Sequence, residues 1–173
     1  LGFKDQQRIN GPDLMWKYCA QASQRGESIY LYGGTPETLV TLQARLAQEF
    51  PGLKVAGAFS PPFRKLTAEE DAAAVTCING SGAGTVWVSL GCPKQELWMA
   101  AQRGRIHAVM IGAAFDYHAG TIQRAPLWMQ HAGLEWLHRL VTEPRRLWKR
   151  YLVTNTLFVL GAAWQLMMRR AQR

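Results

Sequence analysis

The chain has 173 residues, 48% of them apolar and 18% charged, with a formal net charge of +8. That length suits one domain with a real core, and the apolar share is richer than a soluble domain needs. Cys19, Cys77 and Cys92 are odd in number and far apart, which argues against a disulfide framework and fits a reducing compartment. Neither the cysteines nor the histidines show zinc-ligand spacing, so no metal and no cofactor is expected.

The charge is unevenly placed. All twelve acids lie at or before Glu143, and residues 1–143 hold thirteen cations against them. The remaining seven cations are Arg145, Arg146, Lys149, Arg150, Arg169, Arg170 and Arg173. The body is therefore near neutral and the tail basic. A nucleic-acid binder would carry its basic face on the folded domain, so nucleic acid is not expected as a partner. A basic tail among apolar residues points to an anionic membrane surface, at about 1 kcal/mol per cation near the lipid. The opening Leu1-Gly-Phe-Lys-Asp-Gln-Gln-Arg8 turns polar after its third residue, so it is not read as a signal peptide; without an initiator methionine the chain reads as a fragment.

In chain order, Pro12 to Gln24 reads as a helix with Leu14, Met15, Tyr18 and Cys19 on one face. Ser28 to Tyr32 reads as a strand, Pro36 to Phe50 as a helix and Lys54 to Phe59 as a second strand. Thr67 is expected to cap a helix over Ala68 to Asn79, with Glu69, Glu70 and Asp71 in its first turn. Thr85 to Leu90 forms a third strand, Pro93 suits the first position of a helix running to about Gly104, and Ile106 to Ile111 forms a fourth strand. This alternation predicts an α/β fold with a Rossmann-like parallel sheet built from right-handed βαβ units.

Ligands in such sheets bind outside the carboxyl ends of the strands. The loops leaving those ends are Gly33-Gly34-Thr35, Ser60 to Arg64, Gly91 to Glu96, and Gly112 to Gly120. In the third loop, Lys94 stands in the first turn of a helix, where the macrodipole favours anions by roughly 0.3–1 kcal/mol. Free N–H groups beside a lysine suit a phosphate; a solvated lysine at an ordinary helix start is the competing reading. Gly33-Gly34-Thr35-Pro36 offers a close-approach turn, an N-cap at Thr35 and Pro36 in the first helical position, although a plain tight turn explains it as well. It is neither Gly-x-Gly-x-x-Gly nor a P-loop, which removes the dinucleotide oxidoreductase reading. Asp116, between Phe115 and Tyr117, is placed to accept from sugar hydroxyls or to take a proton; capping a turn or pairing with Arg124 are its structural alternatives. His118 reads as a hydrogen-bonding neighbour rather than a base. Arg124 is placed to hold a phosphate.

Beyond Thr121 the pattern turns helical: Ala125 to Gln130, Leu134 to Val141, Pro144 to Tyr151 and Leu152 to Met168. Tyr151 to Met168 carries no charge over 18 residues, at the lower edge of the ~20 needed to span a bilayer. A helix lying on or dipping into the membrane is the first reading, a helix packed on the domain or a partner the second, and a span the third. Trp128, Trp136 and Trp148, at helical spacing, read as core or membrane-interface residues rather than a ligand stack.

Taken together, Arg8-Ile-Asn-Gly-Pro-Asp-Leu14, Leu31-Tyr-Gly-Gly34, Phe59-Ser-Pro-Pro62, Leu90-Gly-Cys-Pro-Lys-Gln-Glu96, Ala114-Phe-Asp-Tyr-His-Ala-Gly120, Arg124-Ala-Pro126, Gly133-Leu-Glu-Trp-Leu-His-Arg-Leu140 and Glu143-Pro-Arg-Arg146 resemble the WecG/TagA/CpsF glycosyltransferases, notably members labelled as exopolysaccharide biosynthesis proteins. The resemblance covers nearly the whole chain in the family's order. It implies inverting transfer of an N-acetylmannosamine-type sugar from a UDP-sugar donor to an undecaprenyl-diphosphate-linked sugar acceptor. It also implies a peripheral location at the cytoplasmic face of the bacterial inner membrane, and leaves a homo-oligomer open.

On that footing residues 1–124 are expected to be the Rossmann-like transferase domain and 125–173 a helical membrane-associating appendage. Gly33, Gly34, Lys94, Gln95 and Glu96 would meet the nucleotide-sugar and Asp116 the sugar hydroxyls. Arg124, Arg145 and Arg146 would meet phosphate groups, Lys149 and Arg150 joining them at the acceptor diphosphate and the lipid surface. The chain departs from the family in two ways. The Asp-Gly segment with the suspected general base lies upstream of the position matching Arg8, so the base is expected upstream of Leu1, with Asp116 as the in-chain candidate and this chain's own activity in question. The stretch Ile111-Gly-Ala-Ala-Phe-Asp116 looks shorter than the family's form. A non-catalytic membrane-surface scaffold derived from such a transferase is the alternative function.

Overall fold

The structure is a computed structural model that describes residues 10–171. The chain divides into two compact units, Leu1–Gln123 and Arg124–Arg173.

The first unit alternates helix and strand: α1 (Gly11–Arg25), β1 (Ser28–Gly33), α2 (Pro36–Glu49), β2 (Lys54–Phe59), α3 (Ala68–Gly80), β3 (Thr85–Ser89), α4 (Lys94–Ala101), β4 (Val109–Gly112) and α5 (Phe115–Ala119). The four strands pair in parallel in the order β2-β1-β3-β4. The α/β parallel sheet expected from the alternation is thus what forms. Period-two alternation splits the core between the two faces of the sheet. Ile29, Leu31 and Trp87 pack with Met15 and Cys19 of α1, Leu39, Leu42 and Leu46 of α2, and Phe115 of α5. Tyr30, Tyr32, Val86 and Val88 face the other way, onto Ala74, Val75 and Ile78 of α3, with Trp98 and Met99 of α4 alongside. Burial of this apolar surface is the main stabilising term, at roughly 25 cal/mol per Å².

Local chemistry sets the helix starts. Asn10 caps α1, Thr35 caps α2 with Pro36 following, and Thr67 and Glu70 form a reciprocal capping box on α3. Several boundaries differ from expectation. Leu14 is 41% exposed and Ala22 takes its place in the core. Pro93 is the N-cap of α4 rather than its first helical residue, and α4 stops at Ala101. β4 begins only at Val109, because Ile106 is drawn into an isolated bridge with Arg103. The stretch expected as a loop over Gly112 to Gly120 contains α5.

The second unit is helical: α6 (Leu127–His131), α7 (Glu135–Thr142) and α8 (Pro144–Ala171). The two helices expected over Pro144 to Met168 are one continuous helix of 28 residues, with no proline after its first position to break it. Trp128, Trp136 and Trp148 are 65%, 45% and 54% exposed, which removes the core reading for them. Among the described residues no helix is long and apolar enough to cross a membrane, so the spanning reading of Tyr151 to Met168 is not supported.

Candidate functional site

The strand order places a topological switch between β1 and β3: the chain leaves β1 for β2 on one side and returns to β3 on the other. Such a point opens a crevice at the carboxyl ends of the two strands. Gly33 and Ser89 are register partners there. Gly33 has φ +110, and a Cβ on it would stand 2.2 Å from the Ser89 carbonyl oxygen. The close approach expected of a ligand at Gly33 is therefore taken by the chain's own β3 backbone. Gly34 donates its N–H to the same carbonyl at 2.9 Å. Its own carbonyl accepts from Ser60 Oγ at 2.7 Å, and the Phe115 ring lies against it. Ser89 Oγ in turn accepts from the Phe115 N–H at 3.3 Å. These bonds tie the ends of β1, β2, β3 and α5 into one rim. The two serines were not singled out in the sequence; their places just after buried strands were the available signal.

On the β4 side of this rim stands the start of α4. Unlike α1, α2 and α3, it has no side-chain cap. Lys94 and Glu96 are exposed and Gln95 is half-buried. The Gln95 amide lies over Gly112 at the end of β4, where a Cβ would come within 2.7 Å of Nε2. Nε2 also reaches Glu96 Oε1 at 3.3 Å. Lys94, Gln95 and Glu96 are thus together at the carboxyl edge, as the loop pattern requires.

Gln95 shares a helix face with Trp98, Met99 and Gln102, spaced by three and four residues. That face is anchored on α3 by Asp71. Its carboxylate accepts from Trp98 Nε1 at 3.2 Å, Gln102 Nε2 at 2.9 Å and Arg105 Nη1 at 2.7 Å. Burial alone would raise the Asp71 pKa, but these bonds outweigh it and hold the carboxyl below its ordinary value. The Trp98 ring stacks on Tyr32, centroids 4.2 Å apart. Burial, then the neighbouring Asp71 charge, pushes the Tyr32 phenol up to about 12, so it stays neutral. This anchorage went unread in the sequence, although the 95/98/99/102 spacing carried it.

Asp116 sits in the first turn of α5 and is half-buried. Its backbone carbonyl accepts from the N–H and the hydroxyl of Thr121, both at 3.0 Å. His118 does act as a hydrogen-bonding neighbour, its Nε2 lying 3.0 Å from the Pro12 carbonyl.

In the second unit, Arg124 Nε donates to Glu135 Oε1 at 3.3 Å, with the two side chains 29% and 22% exposed. Arg145 is exposed, while the side chains of Arg146, Lys149 and Arg150 lie outside the described set. Along α8, Leu152, Leu157, Phe158, Leu160 and Trp164 are all more than 60% exposed.

The rim provides the Gln95 side-chain amide, an uncapped helix start with a lysine, and the Glu96 carboxylate, a set suited to a phosphorylated sugar ligand. The sequence compares in the same sense: the model of the glycosyl transferase WecG/TagA/CpsF family matches residues 1–172. The chain belongs to the WecG/TagA/CpsF family of glycosyltransferases, which act in cell-surface polysaccharide synthesis.

Proposed function

We propose that the protein is an inverting glycosyltransferase that moves an N-acetylmannosamine-type sugar from a UDP-sugar to an undecaprenyl-diphosphate-linked sugar, in exopolysaccharide or cell-wall synthesis. The observation that carries the donor half is the Gln95 amide held over Gly112 at the carboxyl edge of the sheet, beside the uncapped start of α4. In this reading the Lys94 ammonium, at the uncapped start of α4, stabilises the departing diphosphate, where negative charge grows in the transition state. Gln95 and Glu96 orient the nucleotide-sugar, and Asp116 accepts from sugar hydroxyls. Gly33 and Gly34 shape the rim by drawing β3 and α5 together.

Residues 1–124 form the transferase domain and 125–173 the appendage that meets the membrane peripherally, at its cytoplasmic face. Support for the appendage comes from the exposed apolar run of α8 and the cations on both sides of it. Apolar side chains there would enter the acyl boundary while Arg145, Arg146, Lys149 and Arg150 meet lipid and acceptor phosphates, with Arg124 as a further phosphate ligand.

The test is UDP release from a panel of UDP-sugars with a lipid-diphosphate N-acetylglucosamine acceptor. One donor should give acceptor-dependent release. A folded protein that neither releases UDP from any of them nor is thermally stabilised by UDP overturns the transferase reading and leaves the membrane-surface scaffold.

A further inference from the structure

Helix α5 has five residues, too few to hold itself in water, so its orientation depends on what its side chains grip. Phe115 is fully buried in the core below it. His118 grips from another side. Its ring lies flat on Trp16 of α1, with centroids 4.3 Å apart and planes 6° apart. Its Nε2 is 3.0 Å from the Pro12 carbonyl oxygen, and because a carbonyl only accepts, that nitrogen carries the hydrogen. Arg45 of α2 donates to the His118 backbone carbonyl at 2.9 Å and also lies 5.3 Å from the centroid of the Trp16 ring. A single residue of α5 is thereby tied to both α1 and α2. Asp116 stands two positions earlier, roughly 200° around the helix, and so is turned away from the side that is gripped.

We infer that His118 is a positioning residue for Asp116: by fixing the rotation of α5 it fixes the direction in which the Asp116 carboxylate meets the donor sugar. The inference rests on the reading of Asp116 as a sugar-hydroxyl ligand. With Nε2 committed to Pro12 and one ring face against Trp16, the imidazole acts by holding.

The experiment is calorimetric binding of UDP and of UDP-N-acetylmannosamine to the full chain, for wild type, Asp116→Asn, His118→Ala and the double variant. Each single change should weaken the UDP-sugar about tenfold and alter UDP less than about twofold, and the double variant should be no weaker than either single. Additive losses, or an equal loss of UDP, overturn the inference, since a purely structural role would produce them. A loss in Asp116→Asn with none in His118→Ala overturns it alone. An unchanged UDP-sugar affinity in Asp116→Asn overturns the Asp116 reading and the inference with it. Should circular dichroism show His118→Ala unfolded, His118→Phe keeps the stack on Trp16 and loses the Pro12 bond. It should then show a smaller loss confined to the UDP-sugar, and wild-type binding in that variant overturns the inference.

Discussion

The amide of Gln95 occupies the space that a side chain at Gly112 would fill: a Cβ there would lie 2.7 Å from Nε2. Gly112 thus decides where Gln95 points. Because the obstructed atom is the far end of a flexible side chain, Gly112→Ala is expected to cost little stability, within about 1 kcal/mol. It should nevertheless displace the amide and weaken UDP-sugar binding about tenfold. Paired melting curves and calorimetry check this; a large fall in melting temperature with unchanged affinity would reverse the assignment.

Gly33 is expected to behave in the opposite way. Its φ of +110 disfavours any side chain, and the atom that a Cβ would strike, the Ser89 carbonyl oxygen at 2.2 Å, is backbone. Gly33→Ala should destabilise the fold by about 3 kcal/mol or more. Denaturant unfolding measures it.

These two glycines show what the sequence could convey. The alternation of strands and helices, and the caps Thr35 and Thr67, were legible because they depend on local pattern and on side chains a few residues away. Gly33 was legible as a tight approach, but whether ligand or β3 would fill it depends on strand pairing between residues far apart in the chain. The early end of α4 accompanies a tertiary bond, that of Gln102 to Asp71, which periodicity does not carry, and the late start of β4 follows a tight local turn that bridges Arg103 and Ile106. Helix α5 was hidden for a similar reason: its five residues are held by Phe115 and His118 rather than by helix propensity. For the site, Lys94, Gln95 and Glu96 were readable as an anomalous helix start, whereas Ser60 and Ser89 became visible only once the strand ends were brought together.

Acid sensitivity has an identifiable local source. Arg64 donates to both carboxylate oxygens of Glu70, at 2.7 and 2.6 Å. That guanidinium, helped by the Thr67 N–H, holds the Glu70 carboxyl down at about 2 against an ordinary 4.5. A depressed folded-state pKa gives stability that is present above the ordinary value and lost as pH falls toward 2. The pair is exposed, so the effect is small. Glu70→Gln keeps the capping box and removes the charge. Its melting temperature should sit slightly below wild type at pH 6 and converge with it as pH falls from 4.5 toward 2, followed by circular dichroism.

The exposed apolar run of α8 gives a separate prediction for the appendage. Phe158→Glu combined with Trp164→Glu should abolish co-sedimentation with vesicles containing anionic lipid, because each change places a carboxylate where an apolar side chain would enter the bilayer boundary. The melting temperature should change little, since both side chains are already exposed, at 74% and 62%. Vesicle binding equal to wild type would remove α8 from the membrane contact.

The donor site itself is tested most directly by titrating UDP into wild type and Gln95→Ala. UDP should bind the wild-type protein, and Gln95→Ala should bind it at least about tenfold more weakly, the loss of one or two oriented hydrogen bonds to a charged ligand. Equal affinity in the two proteins, or no binding of UDP to a folded wild type, would contradict a nucleotide-sugar site at the start of α4.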